Sequence, residues 1–494
     1  MPNRVVINIM DGGFLPRSLA GRPAVEWVLD YAGSIVPKKD IAFIGSSGGG
    51  IPGFPYTRME SATAACLIAA LRELSQGYDN LVYVFGDSPF LDAGLTARML
   101  ENHAKYYAHY TFADGYPEGL APEILAARTL PALAALCQDG PPLDRETLFA
   151  LIQKDINAFD LETELSPRDL RILRASLTCG TKRGHLLCER TAESLPQGQP
   201  PASEAVLSLL EKTPEVLRTL PAFIGVQITE GCPQSCLSCP YPLFGNVGGS
   251  RRMAPGDFDL IARKAADFCG DAVIGVSLWG EPSFHPEFTR LAKSVADRPA
   301  LSLLVETSGI GWKDEVVREC AAMLGPRLTW VVSLDAAGPQ QYAMLRGAGW
   351  EEARARAEML IAEFPGTAYV QALRMAENEE TLESFYRAWK EKTPRLIIQK
   401  YDWFCGFLPQ RKVTDLSPLD RFPCRHLRRD LCVLLDGSVP LCREDLHKST
   451  LLGNLIADDI QTIWEKGGGF YRQHLCANHT GICGNCDEYY TWNF

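Results

Sequence analysis

Three cysteines, Cys232, Cys236 and Cys239, are spaced C-x-x-x-C-x-x-C, and seven of the chain's sixteen cysteines fall in its last 90 residues. In a reducing compartment such an excess points to metal or cluster ligation rather than to disulfides. Three thiolates can hold three irons of a [4Fe–4S] cube and leave the fourth iron open; a zinc ion with one further ligand is the competing reading. In the tail, Cys483 and Cys486 form a C-x-x-C knuckle that presents two thiolates to one centre. Cys424 and Cys442 bracket residues 431–440, which read as a β-hairpin turning at Asp436-Gly437. These four suit a second, fully protein-bound [4Fe–4S] cluster, or a zinc ribbon. Cys432 and Cys476 lie off that pattern and read as buried thiols. His447, His474 and His479 read as structural or solvent-facing.

These ligands need elements to carry them. Residues 5–10, 41–44 and 81–85 are short apolar runs of strand type, and 58–75 has helical periodicity. Together they predict an α/β domain with a mostly parallel sheet, of Rossmann-like type, over 1–193. A Pro- and Ser-rich stretch at 194–203 opens a linker over 194–215. A second series of strands is predicted at 223–229, 274–279, 301–306, 328–335, 368–373 and 396–401. Helical patterns fall between them, as at 258–268, 351–363 and 379–392. Six β-then-α units over 216–415 build an open parallel sheet or a partial (β/α)6 barrel, with chemistry at the carboxyl ends of its strands. Cys232 follows the first of these strands directly. A small cysteine-rich domain over 416–494 completes the chain and buries little core of its own.

On the cysteine triad and the strand ends around it, the middle of the chain resembles the radical S-adenosylmethionine (SAM) superfamily. The second strand ends Leu278-Trp279-Gly280-Glu281-Pro282, similar to the family's Gly-Gly-Glu motif, with Trp279 in place of the first glycine. The third ends Glu306-Thr307-Ser308-Gly309 and the fourth Ser333-Leu334-Asp335, with Arg346 in the helix that follows. Ser238 stands where an aromatic residue often precedes the third cysteine. The resemblance implies that SAM chelates the open iron and is split by one electron to a 5′-deoxyadenosyl radical. It also implies that Gly280, Glu281, Thr307, Ser333 and Arg346 bind SAM. The tail resembles the SPASM domain in its shortened, single-cluster form: Cys424, Gly437, Cys442, Leu452-Gly453-Asn454-Leu455, Ile463-Trp464, then Cys483 and Cys486. This implies an auxiliary [4Fe–4S] cluster that accepts an electron from a substrate radical or relays electrons.

The first domain resembles nucleotide-sugar cytidylyltransferases and related nucleotidyltransferases. Leu19-Ala20-Gly21-Arg22-Pro23, Gly86-Asp87-Ser88-Pro89 and the run from Tyr116 to Glu123 carry the likeness. The basic, Gly-rich phosphate loop is poorly represented by 11–17, and Ala121 stands where a metal-binding aspartate belongs. Nucleotidyl transfer is therefore not expected, because its Mg²⁺ site lacks a carboxylate. Asp87 reads either as a metal ligand or as a strand-end cap. As a whole the chain resembles the spiro-SPASM family of radical SAM proteins.

Composition excludes other classes. Sixty acidic against 49 basic residues give a net charge of −11, against broad nucleic-acid binding. A local basic cluster at Arg425, His426, Arg428 and Arg429 reads as a solvated helix face. No apolar run is long enough for a membrane span, and no signal peptide is evident, so a cytoplasmic protein is expected. The leading expectation is a radical SAM oxidoreductase or maturase acting on a peptide or protein, served by a low-potential donor such as flavodoxin or ferredoxin. A sugar, nucleotide or lipid-linked small molecule is the alternative substrate. A non-enzymatic iron–sulfur electron carrier or zinc-binding scaffold is the alternative class.

Overall fold

In the computed structural model of the chain, residues 2–46, 49–137, 143–195 and 202–491 are described. Two compact units are present, Met1–Leu217 and Arg218–Phe494.

The first unit is built on β1 (Asn3–Asn8), β4 (Ile41–Gly45), β5 (Tyr56–Arg58), β6 (Asn80–Phe85), β7 (Tyr110–Asp114), β8 (Glu123–Ala126) and β9 (Leu161–Leu165). Two-residue strands β2 (Ser18–Leu19) and β3 (Arg22–Pro23) form a separate hairpin. The order is β5-β4-β1-β6-β8-β7-β9, parallel throughout except for β8, which runs against both neighbours. β4 and β6 are buried along their whole length, the pattern of strands covered by helices on both faces. The helix predicted over 58–75 begins only at Ala64, because Arg58 pairs into β5 and Thr63 caps the helix by accepting the Cys66 N–H. Of the predicted linker, residues 196–201 lie outside the described residues. Ser194 ends one helix, Lys182–Ser194, and Ser203 starts another, Ser203–Lys212.

The second unit carries six parallel strands in chain order: β10 (Phe223–Val226), β11 (Ala272–Gly275), β12 (Leu301–Thr307), β13 (Leu328–Ser333), β14 (Ala368–Arg374) and β15 (Leu396–Lys400). A seventh, β16 (Asp430–Val433), joins in parallel beside β10. β10 and β11 stop earlier than predicted. Beyond them Gln227 and Ser277 make a single bridge and the chains then part, which opens space at the carboxyl end of the sheet.

The turn predicted at Asp436-Gly437 forms, with Gly437 at φ +81° and the Leu434 N–H donating to the Ser438 carbonyl. Its two limbs nevertheless go to different ladders. β16 pairs with β10, while β17 (Ser438–Pro440) pairs antiparallel with β18 (Leu451–Asn454). Burial decides this: Leu431 and Val433 fill the core that β10 already occupies. The basic cluster is also not a solvated face. Arg425 is buried, and His426 and Arg429 both pair with Asp430 in a short helix, Arg425–Arg429, packed against the helix Ile460–Leu475. That longer helix contains Gly467-Gly468-Gly469. The Arg218 guanidinium lies across the first two, stacked 3.7 Å from the Trp464 ring centroid.

Candidate active site

At the carboxyl end of the second sheet, Cys232, Cys236, Cys239, Gly280, Glu281, Thr307, Ser333 and Arg346 line one cavity of about 200 Å³. The cysteine loop is held from three sides. Ser235 and Leu237 N–H groups donate to the carbonyls of Arg346 and Leu345, and the Cys232 N–H donates to Val247. On the third side, the Glu281 N–H donates to the Gly231 carbonyl at 2.9 Å. Gly280 makes this approach possible. Its φ is +83°, and a Cβ there would lie 2.4 Å from the Thr229 carbonyl oxygen.

Glu281 is buried and links two strand ends. Its carboxylate accepts the Thr307 hydroxyl, the Ser308 N–H at 2.8 Å and the Ser283 N–H at 3.4 Å. Burial pushes its pKa above the usual carboxylate range, against those hydrogen bonds. Thr307 also accepts the Trp312 indole N–H at 2.8 Å. Ser333 faces Gln371, whose amide donates to both Ser333 and Glu306. Arg346 pairs with Asp335 at 2.6 Å, both buried, while its Nε makes no hydrogen bond. Asp335 is fixed by the Leu373 N–H on its carboxylate, at φ +61°.

Burial pushes the Cys232 thiol up to about 12, and the Cys236 and Cys239 thiols also rise. Burial alone thus disfavours the thiolate form, which a bound metal centre would favour. A single zinc holds sulfurs at about 2.3 Å, hence about 3.8 Å from each other in a tetrahedron. Among the described residues no three cysteine sulfurs lie mutually within 4.8 Å; only Asp402, Asp487 and Glu488 group so closely. Lys400, Lys412 and Arg443 are paired with that carboxylate group.

A second cavity, of about 310 Å³, takes in Cys424, Cys442, Cys483 and Cys486. It shares a wall with the first, made by Ser277, Leu278, Trp279, Glu306, Gln371, Gln399 and Arg443. Cys432 also lines it from β16, whereas Cys476 is exposed and stands outside it. His474 is buried beside it and accepts the Cys424 N–H; His447 is exposed and packs on the Phe407 ring. His479 stacks edge-on against His474.

In the first unit Asp87 is buried at the end of β6, with its carboxylate on the Arg145 guanidinium. Arg145 Nε reaches Glu118 at 2.8 Å. The Arg145 guanidinium thus bridges these two carboxylates. Ala121 brings no third one.

Three site residues escaped the sequence reading. Gln234, inside the triad, is buried with its Oε1 unpartnered while its amide donates to Ala348. Arg443, beside Cys442, stands on the shared wall with Asp402 at 2.6 Å and Glu444 at 2.9 Å. Cys405, after β15, lines the second cavity. The only trace of Cys405 was the count of seven late cysteines, of which the pattern used four.

The sequence profile of the Radical SAM superfamily matches residues 226–388, the span from β10 through the helix after β14. An uncharacterized protein of Treponema pallidum (strain Nichols) is 40% identical over 360 residues, which is 70% of this chain and 98% of that one. A second such protein of the same organism is 37% identical over 79 residues, 16% of this chain and 36% of its own. Among solved structures, Streptococcus suis SuiB bound to precursor peptide SuiA is 14% identical, with TM-score 0.44, over 60% of this chain and 76% of that chain. A cytidylyltransferase from Leptospira borgpetersenii serovar Hardjo-bovis (strain JB197) is 15% identical, with TM-score 0.38, over 44% of this chain and 96% of that one. No helix among the described residues is long and apolar enough to cross a membrane. With its cysteine triad set at the carboxyl end of a parallel sheet inside the matched span, the chain carries a radical SAM domain over residues 226–388 and is an enzyme of that class.

Proposed function

We propose that this enzyme reductively cleaves SAM in the first cavity to carry out oxidative modification or maturation of a peptide or protein. One observation carries the reading: eight residues chosen from four separate strand ends and one helix line a single cavity. Cys232, Cys236 and Cys239 would hold the SAM-binding [4Fe–4S] cluster. When bound, that cluster supplies the electron that splits the sulfonium of SAM into a 5′-deoxyadenosyl radical. Arg346, charged and with its Nε unpartnered, suits the carboxylate of SAM. Gly280 and Glu281 suit its amino group, and Thr307 and Ser333 line the remainder of the site.

Cys424, Cys442, Cys483 and Cys486 are proposed to hold an auxiliary [4Fe–4S] cluster, the tail then being a single-cluster SPASM domain. The shared wall supports a substrate position between the two cavities, with the polar groups of Glu306, Gln371 and Gln399 turned to it. The first unit is proposed to be a nucleotidyltransferase-like domain that binds or positions substrate without transferring nucleotides, since Arg145 neutralises Asp87 and Glu118. A low-potential flavodoxin or ferredoxin is the proposed donor. The test is an anaerobic incubation with SAM, reductant and candidate peptides, followed by mass spectrometry. Loss of two hydrogens or a new cross-link, formed with 5′-deoxyadenosine, is expected. If only a sugar, nucleotide or lipid-linked compound changes, the peptide reading falls.

A further inference from the structure

Arg421 stands three residues before Cys424 and belongs to none of the cluster motifs, yet it lines the second cavity. Its guanidinium donates to the Cys483 carbonyl and, at 3.3 Å, to the Gly484 carbonyl, both inside the Cys483–Cys486 knuckle. It also lies 4.9 Å from the centroid of the Tyr489 ring, three residues past Cys486. Tyr489 is buried, and its carbonyl accepts the Arg425 N–H at 2.8 Å, next to Cys424. One cation therefore sits where the segment that carries Cys424 meets the segment that carries the knuckle.

No counter-charge for it comes from the protein. Among the described residues no carboxylate pairs with Arg421, and its Nε is buried without a hydrogen-bond partner. The other basic residues that line the cavity are matched. His426 pairs with Asp430 at 2.6 Å, Arg443 with Asp402 at 2.6 Å and Glu444 at 2.9 Å, and His474 accepts the Cys424 N–H. Carbonyl oxygens solvate a guanidinium but bring no net charge, and drawing a cation out of water without an anion is costly. A [4Fe–4S] cube held by four thiolates supplies that anion, because the thiolates outweigh the charge of the iron–sulfide core.

We propose that Arg421 is the counter-charge of the auxiliary centre and raises the reduction potential of the cluster held by Cys424, Cys442, Cys483 and Cys486. Net charge is one of the levers that set such potentials. Reduction makes the cluster more negative, and a fixed cation beside the knuckle stabilises that form. Arginine suits the task, since it stays charged at any working pH while its planar fork reaches two carbonyls at once. This rests on the auxiliary-cluster reading above. A higher potential makes the centre a better acceptor of an electron from the substrate position at the shared wall.

The test uses the full chain with Cys232, Cys236 and Cys239 all changed to Ala, reconstituted with iron and sulfide, so that only the auxiliary centre is counted. That parent should hold about four irons. Adding Arg421→Gln, which can still donate a hydrogen bond but carries no charge, should shift the redox titration, followed by electron paramagnetic resonance, to lower potential. A tenfold shift in the ratio of reduced to oxidised cluster is expected, about 59 mV for a one-electron couple. Arg421→Lys, which keeps the charge and gives up the fork, should hold the parent's iron and potential. Iron lost from Arg421→Gln but kept by Arg421→Lys at the parent potential would equally support the counter-charge. An unchanged potential in Arg421→Gln would overturn the proposal. So would iron lost from both variants, or a potential in Arg421→Lys as low as in Arg421→Gln, since either result makes Arg421 a clamp on the knuckle rather than a charge. An iron-free parent is a different failure, because it removes the auxiliary cluster itself and the role of Arg421 with it.

Discussion

Gly280→Ala is the sharpest test of how the cysteine loop is held. The added methyl would lie 2.4 Å from the Thr229 carbonyl oxygen and 3.2 Å from that of Gly231. Both are backbone atoms, so no side-chain rotation relieves the contact. The left-handed conformation adds roughly 1–2 kcal/mol for a residue with a Cβ. Moving the loop away stretches the hydrogen bond from the Glu281 N–H to the Gly231 carbonyl, worth about 0.5–1.5 kcal/mol. Together the change should destabilise the second unit by roughly 1.5–3.5 kcal/mol, a large share of a typical total of about 5–15 kcal/mol. Eight of the nine tryptophans lie in this unit, so tryptophan fluorescence in urea reads it selectively. Iron bound after reconstitution should fall alongside, since Cys232 follows Gly231. Wild-type stability together with wild-type iron would refute the claim that Gly280 seats the loop.

Glu281→Gln should weaken SAM binding about tenfold while iron content is unaltered, because an amide cannot accept from Thr307, Ser308 and Ser283 as the carboxylate does; equilibrium SAM binding checks it. Gly469→Ala should stabilise the second unit by about 1 kcal/mol, since its Cβ would meet nothing in a helix interior. Gly468→Ala should fail to gain it, because its Cβ meets Arg218 at 3.1 Å, and equal urea midpoints for the two would sink that assignment. In the first unit, burial raises Glu123 to about 7, opposed by the Tyr110 hydroxyl, and depresses His103 to about 4. Glu123 binds its proton more tightly when folded, so its contribution is full below about 4.5 and lost as pH rises through 7. His103 contributes fully above about 6.5 and loses this as pH falls toward 4. Glu123→Gln should therefore become more stable relative to wild type between pH 5 and pH 8, and a pH-independent difference would contradict this.

The cavity that gathers the cysteine triad was legible because its residues are set locally in the sequence. The triad needs only its own spacing, and Gly280, Glu281, Thr307 and Ser333 sit at strand ends that apolar runs announce. What stayed hidden depends on tertiary choice. β16 leaves its predicted hairpin partner because Leu431 and Val433 find a better-buried place beside β10. Asp87 could be read as ligand or cap, and its partner Arg145 comes from 58 residues away. Cys405 reaches the second cavity through a left-handed kink that no spacing encodes. Arg425 resembled a solvated charge until the helix it lies on packed inward.

The most direct measurement of the central claim compares 5′-deoxyadenosine formation by the anaerobically reconstituted wild-type chain and by Cys232→Ala, Cys236→Ala and Cys239→Ala, with SAM and dithionite. Each single change should abolish product, because the proposed cube would rest on three thiolates and none can be spared. Product formed at the wild-type rate by any of the three would contradict the assignment of this cavity as the site of SAM cleavage.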